Sequence, residues 1–365
     1  MKISAEREKI LSPLQTVIGV VERRQTMPIL ANVLLSAKND RLSVTATDLE
    51  VELVASASVS VQQNGEITVP GRKFLDICRA LPEGAAISLV VETDKVTVKA
   101  GRSRFTLSTL PASDFPTVDE INAQQTLRLA QADFRRLLDK THFSMAQQDV
   151  RYYLNGMLLE VDGKNLRAVA TDGHRLALCE IELPSKAKSA QQVIVPRKGV
   201  LELQRILGSE GDVDLAIGTN HIRAQIGDVR FTSKLIDGRF PEYSRVIPAQ
   251  PTRQVRADRD LLRSSLQRTA ILANEKYRGI RLALKTNTLT IQAHNPEQEE
   301  AEEELEVTYG GEDLEVGFNV NYLLDALAAV DGDQVVIGLT DANSSCLVHA
   351  PESSHSRYVV MPMRL

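Results

Sequence analysis

Apolar residues recur every three to four positions in several stretches of this chain, and every second position in much of what lies between. In VPGRKFLDICRAL (69–81), VPRKGVLELQRIL (195–207) and FNVNYLLDALAAV (318–330), apolar side chains stand at i, i+3 and i+7. They are Phe74, Ile77 and Leu81; Val200, Leu203 and Leu207; Leu323, Ala326 and Val330. That spacing predicts three helices, each with one buried face. REKILSPLQTVIGVV, ADFRRLLDKTHFSMA and DRDLLRSSLQRTAIL predict three more amphipathic helices. Segments such as RLSVTATD, ISLVVET, KVTVKAG, LRAVATD and LTIQAHN alternate instead, and read as half-exposed strands.

These elements come in the same order three times. The three first-named helical stretches align without gaps. SVTATDLEVELV matches AVATDGHRLALC and, less well, IQAHNPEQEEAE. Arg104-Phe105-Thr106, Arg230-Phe231-Thr232 and Arg357-Tyr358-Val359 open a strand near the end of each copy. Each copy therefore reads helix, strands, helix, strands, which predicts an α+β fold of antiparallel sheets packed against helices. The polar DEINAQQT and the proline-bearing IPAQPTR interrupt the pattern between copies. The expected domains are 1–124, 125–251 and 252–365.

Composition narrows the class. At 43% apolar, with no long hydrophobic run, the chain can bury a core in water. The start MKISAEREKI lacks the apolar run of a secretory signal, so a cytoplasmic location is expected. Cys78, Cys179 and Cys346 are widely spaced and include no C-x-x-C pair, which suits structural thiols in a reducing compartment. The formal charge of −5 weakly disfavours a nucleic-acid partner, although total charge hides its distribution. Within 71–81, Arg72, Lys73 and Arg79 oppose only Asp76; within 196–207, Arg197, Lys198 and Arg205 oppose only Glu202. These helices are locally basic, either as ordinary solvated faces or as phosphate-facing ones.

The stretch AVATDGHRLAL (168–178) is the one that invites a chemical reading. A nucleic-acid-processing enzyme using Asp172 and His174 is the alternative it raises. Catalysis would need a nucleophile beside the histidine and a group orienting it, and a metal-dependent nuclease would need clustered carboxylates. The local sequence supplies neither. Asp172 has counterparts in Asp48 and Asn295, each after a strand, where such side chains commonly turn the chain. Phosphate-cradling, zinc-protease, nucleophile-elbow and EF-hand motifs are missing, so no catalytic residue, metal site or cofactor is expected.

VRYYLNGMLLE, VATDGHRLAL, VIVPRKGV, FTSKL, GRFPEY, NPEQEEAEE and the terminal YVVMPMRL closely resemble the bacterial DNA polymerase III beta subunit family, the sliding clamps, over the whole chain. The resemblance implies a non-catalytic processivity factor, nucleoid-associated in the cytoplasm. It would form a head-to-tail homodimeric ring, with helices lining a hole that holds double-stranded DNA without regard to sequence. It also implies DNA contacts at Arg24, Arg72, Gln148, Tyr152, Tyr153, Arg197 and Lys198. The dimer joint would use Phe105 and Leu107 against Ile271 and Leu272, with the glutamate-rich NPEQEEAEEELEV facing Lys95, Lys99, Arg102 and Arg104. A groove would take short apolar peptides from the replicative polymerase, the clamp-loader ATPase, other polymerases and repair proteins. Its implied residues are Leu154, Thr171, Gly173, His174, Arg175, Leu176, Pro241, Arg245, Val246, Tyr277, Asn319, Tyr322, Ser345, Val359, Met361, Pro362, Met363 and Arg364, with His174 and Arg175 shaping a polar rim. Tyr277, where the family often has phenylalanine, and Asn343, often apolar, depart from the pattern at the groove's edge.

Overall fold

A computed structural model describes residues 1–21, 27–118 and 121–364. The six expected helices are present: α1 (Arg7–Val17), α2 (Gly71–Ala80), α3 (Gln131–Asp139), α4 (Arg197–Ile206), α5 (Arg259–Thr269) and α6 (Val320–Ala329). Three end earlier than their amphipathic pattern. After α3 the chain tightens into a single turn at His142–Ser144, and after α5 into one at Ala270–Leu272, while α1 stops at Val17. The buried faces are also rotated from the expected spacing. In α2 the core takes Phe74, Leu75 and Cys78, leaving Ile77 half-exposed. Leu81, Leu207 and Val330 are buried as expected, but each lies just past its helix. Leu81 and Val330 have extended backbone there, so they reach the core from the following turn rather than from the helical face.

The three sequence copies fold into two compact units. One comprises Met1–Arg135 and Lys198–Leu235; the other comprises Arg136–Arg197 and Ile236–Leu365. The cause is sheet continuity. In the first unit, strand Val229–Lys234 of the central copy pairs antiparallel with Val51–Ser58 of the first, Phe231 opposite Leu53, closing an eight-stranded sheet. In the second unit, Arg175–Glu182 of the central copy pairs with Ser353–Val360 of the third, Ala177 opposite Tyr358, closing another eight-stranded sheet. A strand at the end of one copy thus satisfies the open edge of the copy before it, which both hides main-chain groups and fuses neighbours.

Each unit also holds a smaller sheet. In the first it runs Ser60–Gln63, Lys2–Glu6, Ala86–Glu92, Lys95–Ala100, Ser103–Ser108. In the second it runs Glu300–Glu306, Thr288–His294, Gly279–Lys285, Leu314–Asn319. Ser103–Ser108 and Glu300–Glu306 are therefore edge strands. In the second unit, Leu262 and Leu266 of α5 and Leu323, Ala326 and Leu327 of α6 share a core with Ile280, Phe318, Tyr309 and Tyr358. Each such fully buried large apolar side chain contributes about 1.5–3 kcal/mol. Helix α5 is capped by Asp258, whose carboxylate accepts from Leu261 N at 2.8 Å.

Candidate functional site

The TDGHR stretch is a turn held by its own side chains. Thr171 Oγ1 donates to Arg175 O (2.6 Å) and accepts from Gly173 N (3.1 Å), while Asp172 Oδ1 accepts from His174 N (2.9 Å) and Arg175 N (3.0 Å). The same four bonds recur at Thr47–Val51, where Asp48 Oδ1 accepts from Glu50 N (2.9 Å) and Val51 N (2.7 Å), and Thr47 Oγ1 donates to Val51 O. The shared aspartate is thus a turn-former in both copies. At the turn's third position φ is +89° for Gly173 and +77° for Leu49. Glycine has a second use here, because a Cβ at Gly173 would come within 3.1 Å of the Arg151 guanidinium.

Arg175 is the anchor of this turn. Its Nε donates to Asp172 Oδ2 (3.1 Å), one terminal nitrogen pairs with Asp325 of α6, and the other donates to Phe143 O (2.7 Å). The guanidinium lies 4.6 Å from the centroid of the Tyr322 ring. Its charge is shared among these partners, while the side chain also borders the cleft above the turn. His174 is exposed, with its ring stacked 6.5 Å from that of Tyr322. Arg175→Ala is expected to destabilise the protein by about 2 kcal/mol, because two carboxylates and a carbonyl lose their donor. A lowered urea midpoint checks this, and Arg175→Lys should restore less than half, since an ammonium cannot replace the planar fork.

Over this turn lies a cleft of about 190 Å³. Leu154, Leu176, Pro241, Val246, Val359 and Met361 make it apolar, and Thr171, Gly173 and Arg175 complete the expected part of its lining. Three further lining residues, Arg151, Glu242 and Tyr243, were missed in the sequence. Continuity of the chain beside Pro241 was the available signal for the last two. Arg151 grips Asp149 with two bonds, Nε at 3.0 Å and Nη2 at 2.9 Å, and this contact lowers the Asp149 carboxyl to about 2. Tyr243 donates its hydroxyl to Glu160 at 2.9 Å; burial first, then that carboxylate, pushes the phenol up to about 12.

The other expected groove residues stand outside this cleft. Arg245 pairs with Glu242 at 2.8 Å in solvent, and Ser345 Oγ donates to Val246 O at 3.3 Å. Asn319 caps α6 through Asn321 N (2.9 Å) and donates to Tyr277 O (3.3 Å). Tyr277, Met363 and Arg364 line a separate depression of about 380 Å³ with Asn274, His294 and Pro296. Tyr322 is half-buried under Arg175, and Pro362 is half-buried between Met361 and Met363. The tail is fixed at both sides of that proline, Met361 N donating to His174 O and Met363 N to Gly317 O, each at 2.9 Å. Asn343 donates its backbone N–H to Asp341 in an exposed turn.

Of the expected DNA contacts, Arg24 lies outside the described residues. Arg72 is exposed, with one nitrogen bonded to Val21 O at 2.6 Å. Lys198 pairs with Asp48, and Arg205 of the same helix directs its charge to Glu202 at 2.6 Å. The basic face of α4 is therefore less free than its composition suggests. Arg197 donates to Met145 O at 3.4 Å, and burial lowers its pKa, with Arg175 adding to the effect. Gln148 is exposed at φ +56°, and Tyr152 is 57% exposed. Tyr153, 5.8 Å from Tyr152 ring to ring, packs against the small core of Leu158, Val169 and Phe240.

At the expected joint, Ile271 is 75% exposed and Leu272 half-buried. Phe105 is half-buried on its edge strand, while Leu107 is only 8% exposed and closes its own core. Lys95, Lys99, Arg102 and Arg104 are exposed, as are Glu300, Glu302, Glu304 and Glu306. Glu303 is paired with Arg268, whose two bonds (2.5 and 2.7 Å) hold its carboxyl below the usual range. No group of three or more histidine, cysteine or acidic side chains placed to hold a metal occurs among the described residues. No helix among them is long and apolar enough to cross a membrane.

Threefold repetition, turn-forming aspartates, and an apolar cleft beside a pinned tail describe a repeat-built protein with a binding surface. The sequence matches, in order, the N-terminal (residues 1–119), central (128–242) and C-terminal (244–364) domains of the DNA polymerase III beta subunit, so the chain belongs to that family of non-catalytic sliding clamps and processivity factors. It is 57% identical to the beta sliding clamp of Pseudomonas aeruginosa and 53% identical to that of Escherichia coli, with full coverage of both chains in each case. A crystal structure of the P. aeruginosa subunit superposes with a TM-score of 0.97 at 56% identity, and the Caulobacter crescentus subunit with 0.95 at 40%, each covering both chains completely.

Proposed function

We propose that two copies of this chain close head to tail into a ring around duplex DNA, with helices facing the hole, and that the apolar cleft tethers partner proteins to it. The observation that carries the ring is the pair of free edge strands. Ser103–Ser108 sits among exposed lysines and arginines, and Glu300–Glu306 carries glutamates. Opposite charges on two edges of one chain steer and register a head-to-tail joint. Ordinary charge protection of isolated edges would not require opposite signs. Three domains at 1–124, 125–251 and 252–365 would supply near-equal rotations. Co-migration of the protein with closed circular DNA, lost when the circle is linearised, tests the ring directly.

DNA is held without sequence reading, through phosphates, by Arg24, Arg72, Gln148, Tyr152, Tyr153, Arg197 and Lys198. Arg24→Ala is expected to weaken DNA association several-fold at low salt, with the difference shrinking as salt rises. Fluorescence anisotropy across a salt series measures this; equal affinities at low salt would remove Arg24 from the contact set. A tethered polymerase meets its template at high effective concentration after each slip, so processivity follows from topology without catalysis. Partners of the cleft are short apolar segments of the replicative polymerase, the clamp-loader ATPase, other polymerases and repair proteins, acting in the cytoplasm at the nucleoid. Solved clamps of P. aeruginosa and Bartonella birtlesii carry griselimycin, which supports a ligand-accepting surface on this fold.

A further inference from the structure

Past Tyr243, the segment that walls the cleft continues over a second cavity of about 470 Å³. We propose that this cavity binds a carboxylate carried on an apolar body, gripped by Arg357. Its floor is the outer face of four neighbouring strands, which contribute Arg167, Leu178, Arg357 and Leu347. Leu178 and Arg357 stand directly opposite each other in register. Ile247 and Pro248 form the apolar roof. Tyr243 lines both cavities and is held as a partition by its bond to Glu160.

The charges decide what the cavity takes. Arg167 is already neutralised, bonded to Glu160 at 2.9 Å and to Glu180. Glu160 also accepts from Tyr243 and from Gln192 Nε2 at 2.9 Å. Neither glutamate lines the cavity, and no other acidic side chain among the described residues does. His349 lines it with Nδ1 2.7 Å from Ala350 O, and Ser244 adds a hydroxyl. Arg357 differs from Arg167: its Nε is buried and has no acceptor among the described residues. The buried Nε shows that the guanidinium has no internal partner on that side among the described residues, and a carboxylate in the cavity matches the fork of its terminal nitrogens with two parallel bonds. A bare inorganic anion would leave Leu178, Ile247 and Leu347 unused, and a neutral apolar ligand would leave Arg357 unmet. A volume of this size is within the ordinary range of ligand pockets. The carboxylate comes from an acidic residue beside an apolar one in a partner segment, or from a free organic acid.

Methyl-resolved NMR of the intact protein tests this without reference to the ring or the cleft. Titration with 1-naphthoate should shift the methyls of Leu178, Ile247 and Leu347 saturably. The neutral isostere 1-naphthamide should bind at least about tenfold more weakly, and Arg357→Gln should weaken naphthoate by about the same factor. An acetylated, amidated hexapeptide of alternating leucine and glutamate distinguishes the sources. Displacement of naphthoate assigns the site to a partner segment, and no displacement assigns it to a free acid. Should Arg357→Gln fail to fold, the acid–amide comparison on the natural chain still decides. Equal binding of acid and amide, unaltered binding by the folded variant, or no shift at these methyls overturns the proposal.

Discussion

Replacing Ile271 and Leu272 together with alanine is expected to yield folded monomers. The turn that carries them is held from beneath by Ala270 and Ala273, both buried, so shortening an isoleucine that is 75% exposed removes little from the protomer's own core. In the proposed ring these two side chains supply most of one side's apolar contact, since Leu107 opposite is already buried in its own protomer and only Phe105 is available to meet them. Truncating a central apolar anchor of an interface typically costs about 2 kcal/mol or more, and two such losses weaken association by roughly a thousandfold. Sedimentation velocity at micromolar concentration should show the monomer, with an unchanged circular dichroism spectrum. A dimer persisting under those conditions would place the joint elsewhere. The charged strands make a separate contribution: raising salt should slow association of the natural chain more than it speeds dissociation.

Deleting residues 361–365 is expected to abolish peptide binding while leaving dimerisation and DNA encirclement intact. Met361 is the tail residue that lines the cleft, and its main chain is tied to His174 of the turn beneath. Removing it opens one wall and strips a thioether that adapts to ligands of different shape. The loss expected for a short apolar peptide is at least about a hundredfold, the scale of removing a buried anchor together with part of its pocket. Fluorescence anisotropy with a labelled polymerase-derived peptide reads it. Normal binding to the truncated protein would mean that the pocket lies elsewhere. The described tail residues pair with His174 and Gly317 rather than with either free edge strand, so the ring should survive.

Much of the fold was legible because it rests on local periodicity. Six helices and the alternating strands follow from apolar spacing, and the threefold order of elements follows from comparing the chain with itself. The nine lining residues of the cleft that were named came from extended motif resemblance, not from spacing. The role of Arg175 was not legible, because its partners Phe143 and Asp325 are far away along the chain. Tyr243 and Arg151 were missed for the same reason: a residue lines a cleft by where its strand or loop is carried, and no nearby pattern records that. The basic composition of α4 was legible, but Lys198 and Arg205 turned out to be paired with Asp48 and Glu202.

The sequence alone determined the element types, the triple repeat, the structural nature of Asp48 and Asp172, and family membership, because each depends on neighbours within a turn or on a repeat of the whole pattern. Tertiary structure decided that three copies become two compact units, since that depends on strands distant in the chain pairing across copy boundaries. It also decided which charges are free. Arg175 and Arg167 are committed to carboxylates while the Nε of Arg357 meets no acceptor among the described residues, and the difference arises only from which side chains the sheet brings within hydrogen-bonding reach.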